Sequence, residues 1–181
     1  MKAPVGVILA GGQATRRGGG DKGLLTLGDR TLLAHVIERT APQVADLCLN
    51  ANGDAARFGA YGLPVVADSL PGFPGPLAGV LAGLDWAAAQ GADTLVSVAA
   101  DTPFLPCDLV PRLLLTAEGQ DHPLVLAATE GDMETRSAKG RLIRHPTFGL
   151  WPVALRDDLR AALEGGLKKV VLWTERHGGR E

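Results

Sequence analysis

Five short apolar runs constrain the fold of this chain more than any other feature of its sequence. Residues 4–10, 46–51, 64–67, 94–100 and 124–128 are rich in Val, Leu and Ile, without clean apolar–polar alternation. A strand with one solvated face alternates, whereas a continuous run belongs to a strand covered on both faces, as in a parallel sheet. Between these runs, residues 31–42, 77–90 and 108–117 carry apolar side chains at helical spacing. Strand, helix and strand repeated in this way predict a doubly wound, mostly parallel α/β sheet with helices on both faces and right-handed crossovers. The punctuation agrees. Thr31 is placed to cap one helix, Pro76 to open the next, and Asp108 to start a third that Glu118-Gly119 closes.

Composition narrows the function classes. The 181 residues suit one domain with a sizeable core, and 46% hydrophobic with 21% charged residues is ordinary for a globular chain. A formal net charge of -2 gives no global attraction to nucleic acid. No apolar run reaches the roughly 18 residues that cross a bilayer, so no membrane partner is expected. The first run leads straight into Gly11-Gly12 and a charged loop, which fits a buried first strand better than a secretory leader. Cys48 and Cys107 make neither a disulfide framework nor a metal-type pair, and are expected to be reduced and buried in a cytoplasmic protein.

Two connectors are long. Residues 11–30 hold five glycines in their first ten positions, and residues 68–76 hold three prolines. Both leave the carboxyl ends of expected strands, where open α/β sheets bind ligands. In the first, Leu9-Ala10-Gly11-Gly12 is followed by Arg16, Gly18-Gly19-Gly20 and Asp21-Lys22. Glycines after a strand let successive N–H groups turn toward one anion, and the arginine and lysine neutralise phosphate oxygens. The spacing matches neither a Walker A loop nor the compact Gly-x-Gly-x-x-Gly of a dinucleotide fold. A solvated surface loop is the alternative reading.

Asp101, in Ala100-Asp101-Thr102-Pro103, follows the most apolar run. A carboxylate there suits Mg²⁺ bridging phosphate oxygens, or else simply caps a turn. Asn50-Ala51-Asn52-Gly53 and Asp68-Ser69 end two further strands, either as turn residues or as acceptors for the edge of a base such as guanine. Pro74-Gly75-Pro76-Leu77-Ala78-Gly79 is a stiff entry to a helix N-terminus, which suits an anion or a polar ligand edge. His145 lies between Arg144 and an aromatic strand, and is either structural or a contact for an acidic second substrate. Lys168-Lys169 and Arg176-His177 read as a solvated helix face or as part of an anion site.

Taken in order, Leu9–Gly12, Arg16, Gly18–Lys22, Asn50–Asn52, Asp68-Ser69, Pro74–Gly79, Asp101–Pro103 and His145-Pro146-Thr147 resemble the molybdenum cofactor guanylyltransferase family, the MobA-type proteins. The ordered set spans nearly the whole chain and is far more specific than any one member. The resemblance implies a Rossmann-like nucleotidyltransferase fold, and transfer of GMP from GTP to molybdopterin with release of pyrophosphate. It further implies that Leu9, Ala10, Gly11 and Gly12 line the nucleotide and that Lys22 meets the triphosphate. Asn50 and Asp68 would contact guanosine, Asp101 would hold Mg²⁺, and Arg16 would assist the leaving pyrophosphate. Pro76 and His145 are the candidates for the second substrate, and other cofactor-maturation proteins are expected as transient partners.

Two departures stand out. Arg17 replaces the family's usual Met, and the family's Asn-x-Asn-Thr-Pro segment, which follows the position of Gly178, is absent from this sequence. The expectation is one domain over residues 1–181 without that segment. Cytidylyl transfer, sugar-phosphate nucleotidyl transfer, and nucleotide or cofactor binding without turnover are the alternatives.

Overall fold

The computed structural model describes residues 2–11, 21–70, 72, 75–130, 142–167 and 169–181. Eight strands occur among them: β1 Val5–Leu9, β2 Thr26–Leu27, β3 Arg30–Thr31, β4 Leu47–Asn50, β5 Val65–Val66, β6 Thr94–Ala99, β7 Val125–Glu130 and β8 Leu142–Pro152. Six of them form one sheet in the order β5-β4-β1-β6-β8-β7. Strands β5, β4, β1 and β6 run parallel. Strand β8 enters antiparallel between β6 and β7, an insertion that the apolar pattern did not predict.

Residue alternation divides the core into two layers. Val7, Cys48, Leu95 and Trp151 point to one face, where they meet α2 (Pro76–Ala89), α4 (Arg156–Glu164) and α5 (Val170–Arg176). Ile8, Leu49, Val96 and Leu150 point to the other, against α1 (Leu32–Thr40) and α3 (Leu109–Thr116). Both faces are therefore buried, which is why the strands read as continuous apolar runs. Each fully buried side chain of this size contributes about 1.5–3 kcal/mol before entropy is counted. A polar pair within this layer is matched: Trp151 Nε1 donates to Ser97 Oγ at 2.8 Å.

Helix α2 is buried nearly all round, so it needs small residues where it crosses the sheet. A Cβ on Gly83 would lie 2.8 Å from Val7 Cγ1 and 2.9 Å from Leu95 Cδ2. Thr31 caps α1, its Oγ1 accepting from the Ala34 N–H at 3.1 Å, and Pro76 opens α2. Asp108 does stand at the start of α3, but its carboxylate does not cap. It accepts instead from Arg112 Nε at 2.7 Å.

The described part of the first long connector is not a plain loop. Lys22–Leu24 forms a 3-10 turn, and β2 and β3 make a small antiparallel ribbon. Strands of two residues are too short to leave a periodic signature. The expected solvated face near residue 177 is also corrected. His177 packs on Trp173 with ring centroids 4.7 Å apart, and its Nε2 lies 2.7 Å from Asp158 Oδ1. Both cysteines are free thiols, Cys48 buried as expected but Cys107 exposed. Among the described residues no helix is long and apolar enough to cross a membrane.

Candidate functional site

The carboxyl ends of four parallel strands lie side by side. Leu9 is in register with Asn50 and with Ala99, and Asn50 with Val66. Backbone bonds carry the sheet one residue further: Ala10 N–H donates to Asn50 O at 2.9 Å, Ala51 N–H to Val66 O at 3.0 Å, and Ala100 N–H to Leu9 O at 3.1 Å. Gly11, Asn52, Asp68 and Asp101 therefore leave the same rim. This is the edge at which open α/β sheets bind ligands.

A clasp of amides and one carboxylate occupies the β4–β5 side. Asn50 is only 3% exposed, and its Nδ2 donates to Asp68 Oδ1 at 2.9 Å and to Val66 O at 3.2 Å. Asn52 Nδ2 donates to Asp68 Oδ2 at 2.7 Å, while its Oδ1 accepts the Asp68 N–H at 2.9 Å. An ionised carboxylate offers about four acceptor positions, so two amide donors leave room for more. The first turn of α2 closes over the clasp. A Cβ on Gly79 would sit 2.2 Å from Asn50 Oδ1 and 2.9 Å from Leu9 Cδ2. One on Gly11 would come within 3.3 Å of the same Oδ1. Pro76 opens that helix, which brings it to this rim as well.

Asp68 and Ser69, adjacent in sequence, face different partners. Ser69 Oγ donates to Asp85 Oδ2 on α2, and Asp85 also accepts from Arg160 on α4 at 2.7 Å. Ser69 is thus a tether for the loop, while Asp68 belongs to the clasp.

The β1–β6 side carries opposite charges. Lys22 Nζ lies 4.0 Å from Asp101 Oδ2, with 68% and 42% of the two side chains exposed. Gly23 makes this approach possible, because its added Cβ would lie 3.0 Å from Ala100 Cβ. The Asp101 loop is held from α1 and the 3-10 turn after it: Arg39 donates to Leu105 O at 3.1 Å, and Gln43 to Pro106 O at 3.2 Å. Gln43 Oε1 also accepts the Val110 N–H at 2.9 Å, which ties the start of α3 to the same side chain. Among the described residues no three His, Cys, Asp or Glu side chains converge on a metal position. A divalent ion here would have Asp101 as a protein carboxylate and would draw further oxygens from water and ligand.

Arg57 was missed in the sequence. Its Nε donates to Asp21 Oδ2 at 2.5 Å, its second terminal nitrogen to Asn52 O at 2.7 Å, and its first to Asp54 O. It stands in the 3-10 helix Ala55–Tyr61, inside no motif, so no spacing announced it. His145 lies apart from the clasp, on β8 opposite Ala127, with Nε2 2.9 Å from Thr129 Oγ1. It is beyond the last β6–β8 pair, Ser97 with Gly149, at the rim end of the sheet. The structure thus brings together Leu9, Ala10, Gly11, Asn50, Asp68 and Pro76, with Lys22 facing Asp101 alongside. Gly12, Arg16 and Arg17 lie outside the described residues.

Known proteins resemble this chain in sequence and in fold. A molybdenum cofactor guanylyltransferase of Bradyrhizobium sp. (strain ORS 278) is 54% identical over 175 residues, covering 95% of this chain and 77% of that protein. One from Mesorhizobium japonicum is 49% identical over 175 residues, covering 96% and 79%. A solved structure of molybdopterin-guanine dinucleotide biosynthesis protein A from Archaeoglobus fulgidus superposes with a TM-score of 0.71 at 20% identity, over 98% of this chain and 82% of that one. At that identity the likeness speaks to the fold alone. The family described as MobA-like NTP transferase domain matches residues 6–178, nearly the full length, and the chain belongs to that family.

Proposed function

We propose that this protein is a molybdenum cofactor guanylyltransferase, which moves GMP from GTP onto the terminal phosphate of molybdopterin and releases pyrophosphate. The observation that carries the reading is the pairing of Lys22 with Asp101, 4.0 Å apart, at the rim that also holds the Asn50–Asp68 clasp. A cation and a carboxylate side by side suit a ligand that is itself a metal–polyphosphate pair. Each side chain would exchange its partner for the matching half of that ligand.

The residues then divide the nucleotide between them. Asp68, oriented by two amides, accepts from the donor edge of guanosine, and buried Asn50 fixes that orientation. Leu9, Ala10 and Gly11 floor the site, and Gly12 is assigned to the nucleotide with them. Lys22 faces the phosphate oxygens, with a charge-assisted bond about twice as strong as a neutral one. Arg16 is assigned to the leaving pyrophosphate.

Asp101 would hold Mg²⁺ as one protein carboxylate, with water and ligand oxygens as its further partners. When bound, the ion offsets the charge that gathers on the phosphates. A phosphate oxygen of the pterin attacks the α-phosphorus of GTP. One phosphorus–oxygen bond forms, and the bond to the β-phosphate oxygen breaks. The protein supplies positioning and charge, with no covalent nucleophile. Pro76 and His145, its ring oriented by Thr129, are assigned to the pterin side. A cytoplasmic location, supported by the two free thiols, and transient contact with other cofactor-maturation proteins complete the proposal.

Titrating the protein with GTP, CTP and ATP in the presence of Mg²⁺ tests the reading, followed by pyrophosphate release when molybdopterin is added. GTP should bind at least about tenfold more tightly than the others, or about 1.4 kcal/mol. Equal affinities would overturn guanine selectivity. Tight GTP binding without pyrophosphate release would point to a binding protein.

A further inference from the structure

We propose that Arg57 is a positioning residue that sets the phosphate-facing Lys22 by gripping Asp21, and so couples the phosphate side of the site to its nucleoside side. The inference rests on the reading of Lys22 as the triphosphate cation.

Arg57 spends its three nitrogens on three places. Nε goes to the Asp21 carboxylate at 2.5 Å, and the other two go to the carbonyls of Asn52 and Asp54. Asn52 is the residue whose amide grips Asp68, so a single guanidinium joins that clasp to the segment bearing Lys22. The guanidinium carbon lies 4.5 Å from the ring centre of Phe58, which is 1% exposed. Arg57 and Asp21 are themselves only 28% and 20% exposed, so the pair is far less screened than a surface ion pair.

Asp21 stands immediately before Lys22, at the N-cap of its 3-10 turn. Residues at that position usually turn their side chain inward to cap the helix. Here the Asp21 carboxylate makes no such bond and is directed to Arg57, while its carbonyl accepts the Leu24 N–H at 3.0 Å. Fixing Asp21 therefore fixes the start of the turn that presents Lys22. The far end of the same segment is fastened too, by Thr31 Oγ1 and Tyr61 OH at 2.7 Å. Two points of attachment to one 3-10 helix thus fasten both ends of residues 21–31 beside the rim. A lysine at position 57 could not reproduce the planar fork that reaches all three partners.

A double-mutant cycle on GTP affinity, measured by calorimetry with Mg²⁺, tests this. Arg57→Ala should weaken GTP about tenfold in the parental protein but by less than about twofold on top of Lys22→Ala, because residues acting through one another are not additive. Arg57→Lys should recover part of the loss. Asp21→Asn removes the charge from the same link on the other side, leaves the two carbonyl contacts in place, and should show the same dependence on Lys22. It serves as the second arm if Arg57→Ala does not fold. An equal loss from Arg57→Ala, or from Asp21→Asn in that second arm, with and without Lys22 would mean a general structural role and overturn the inference. No loss from Lys22→Ala alone would instead overturn the phosphate reading, and the inference with it.

Discussion

Oδ1 of Asn50 fills the space in which a methyl group at Gly79 would lie, 2.2 Å from the position of that carbon. Two effects of Gly79→Ala therefore oppose one another. Inside a helix, alanine is favoured over glycine by about 1 kcal/mol. Overpacking a closed site costs about 1–3 kcal/mol, and Asn50 cannot give way without breaking its bonds to Val66 and Asp68. Gly79→Ala should lower the melting temperature and also weaken GTP binding at least about tenfold, by moving Asn50. Gly83→Ala, whose methyl would press first on Val7 and Leu95, should lower the melting temperature and leave GTP affinity nearly unchanged. Melts and titrations on the two variants separate packing from recognition.

Asp101→Asn keeps the shape of the side chain and removes its charge. On the proposed mechanism turnover should fall by about a hundredfold or more, the scale on which lost electrostatic stabilisers act. The melt should barely move, because the carboxylate is 42% exposed and its partner Lys22 more so. Exposed pairs of this kind contribute only about 0–1 kcal/mol. Parental turnover in a variant that melts normally would remove Asp101 from the reaction.

Lys22→Ala should weaken GTP much more than guanosine, since the ammonium is assigned to phosphate oxygens alone. Titrating both ligands against the variant measures the difference. Comparable losses would show that Lys22 acts by folding residues 21–31.

The two thiols should behave in opposite ways. Burial pushes the Cys48 thiol up to about 12, with the Asp46 charge adding to it, whereas Cys107 is exposed. A thiol reagent at neutral pH should label only Cys107 in the native protein and both residues in denaturant. The pH dependence has a definite sign. Below about pH 9 both folded and unfolded forms keep the Cys48 proton, and its contribution to stability is complete. Above that the unfolded chain ionises first, so stability falls by at most about 1.4 kcal/mol per pH unit until the folded thiol also titrates. Cys48→Ala should flatten that slope in urea titrations between pH 8 and about pH 10. An unchanged slope would assign the alkaline loss to other groups.

The parts of the fold legible in the sequence were those set by local chemistry. Burial on both faces made the strands apolar throughout, and Thr31 and Pro76 marked helix starts by their own bonding rules. The Gly11, Asn52, Asp68 and Asp101 motifs were legible because each follows a strand. What could not be read depends on contacts made far along the chain. Arg57 meets Asp21 across 36 positions and carries no periodic or motif signal. His177 looked solvated beside Arg176, but its ring is covered by Trp173 and its nitrogen faces Asp158. Those neighbours hold the Asp158 carboxyl below its ordinary range, chiefly through the Trp173 N–H and then through His177. Asp68-Ser69 read as one motif, yet the two side chains serve different elements.

The placement of β8 bears on how the chain assembles as it is synthesised. Strands β5, β4, β1 and β6, with Asn50, Asp68 and Asp101 at their ends, are all encoded by residue 101. A nascent chain of little more than that length already holds every strand that carries the Asn50–Asp68 clasp and Asp101. Strand β7 is different, because its sheet neighbour is β8, made only at residues 142–152. Until then Val125 and Leu126, buried in the finished protein, belong to a strand open on both edges. Open apolar edges are where unfinished chains associate wrongly. The rim therefore matures in two stages during synthesis. The part bearing Asn50, Asp68 and Asp101 comes first, and the half bearing His145 waits for a strand that must slot between two neighbours already made.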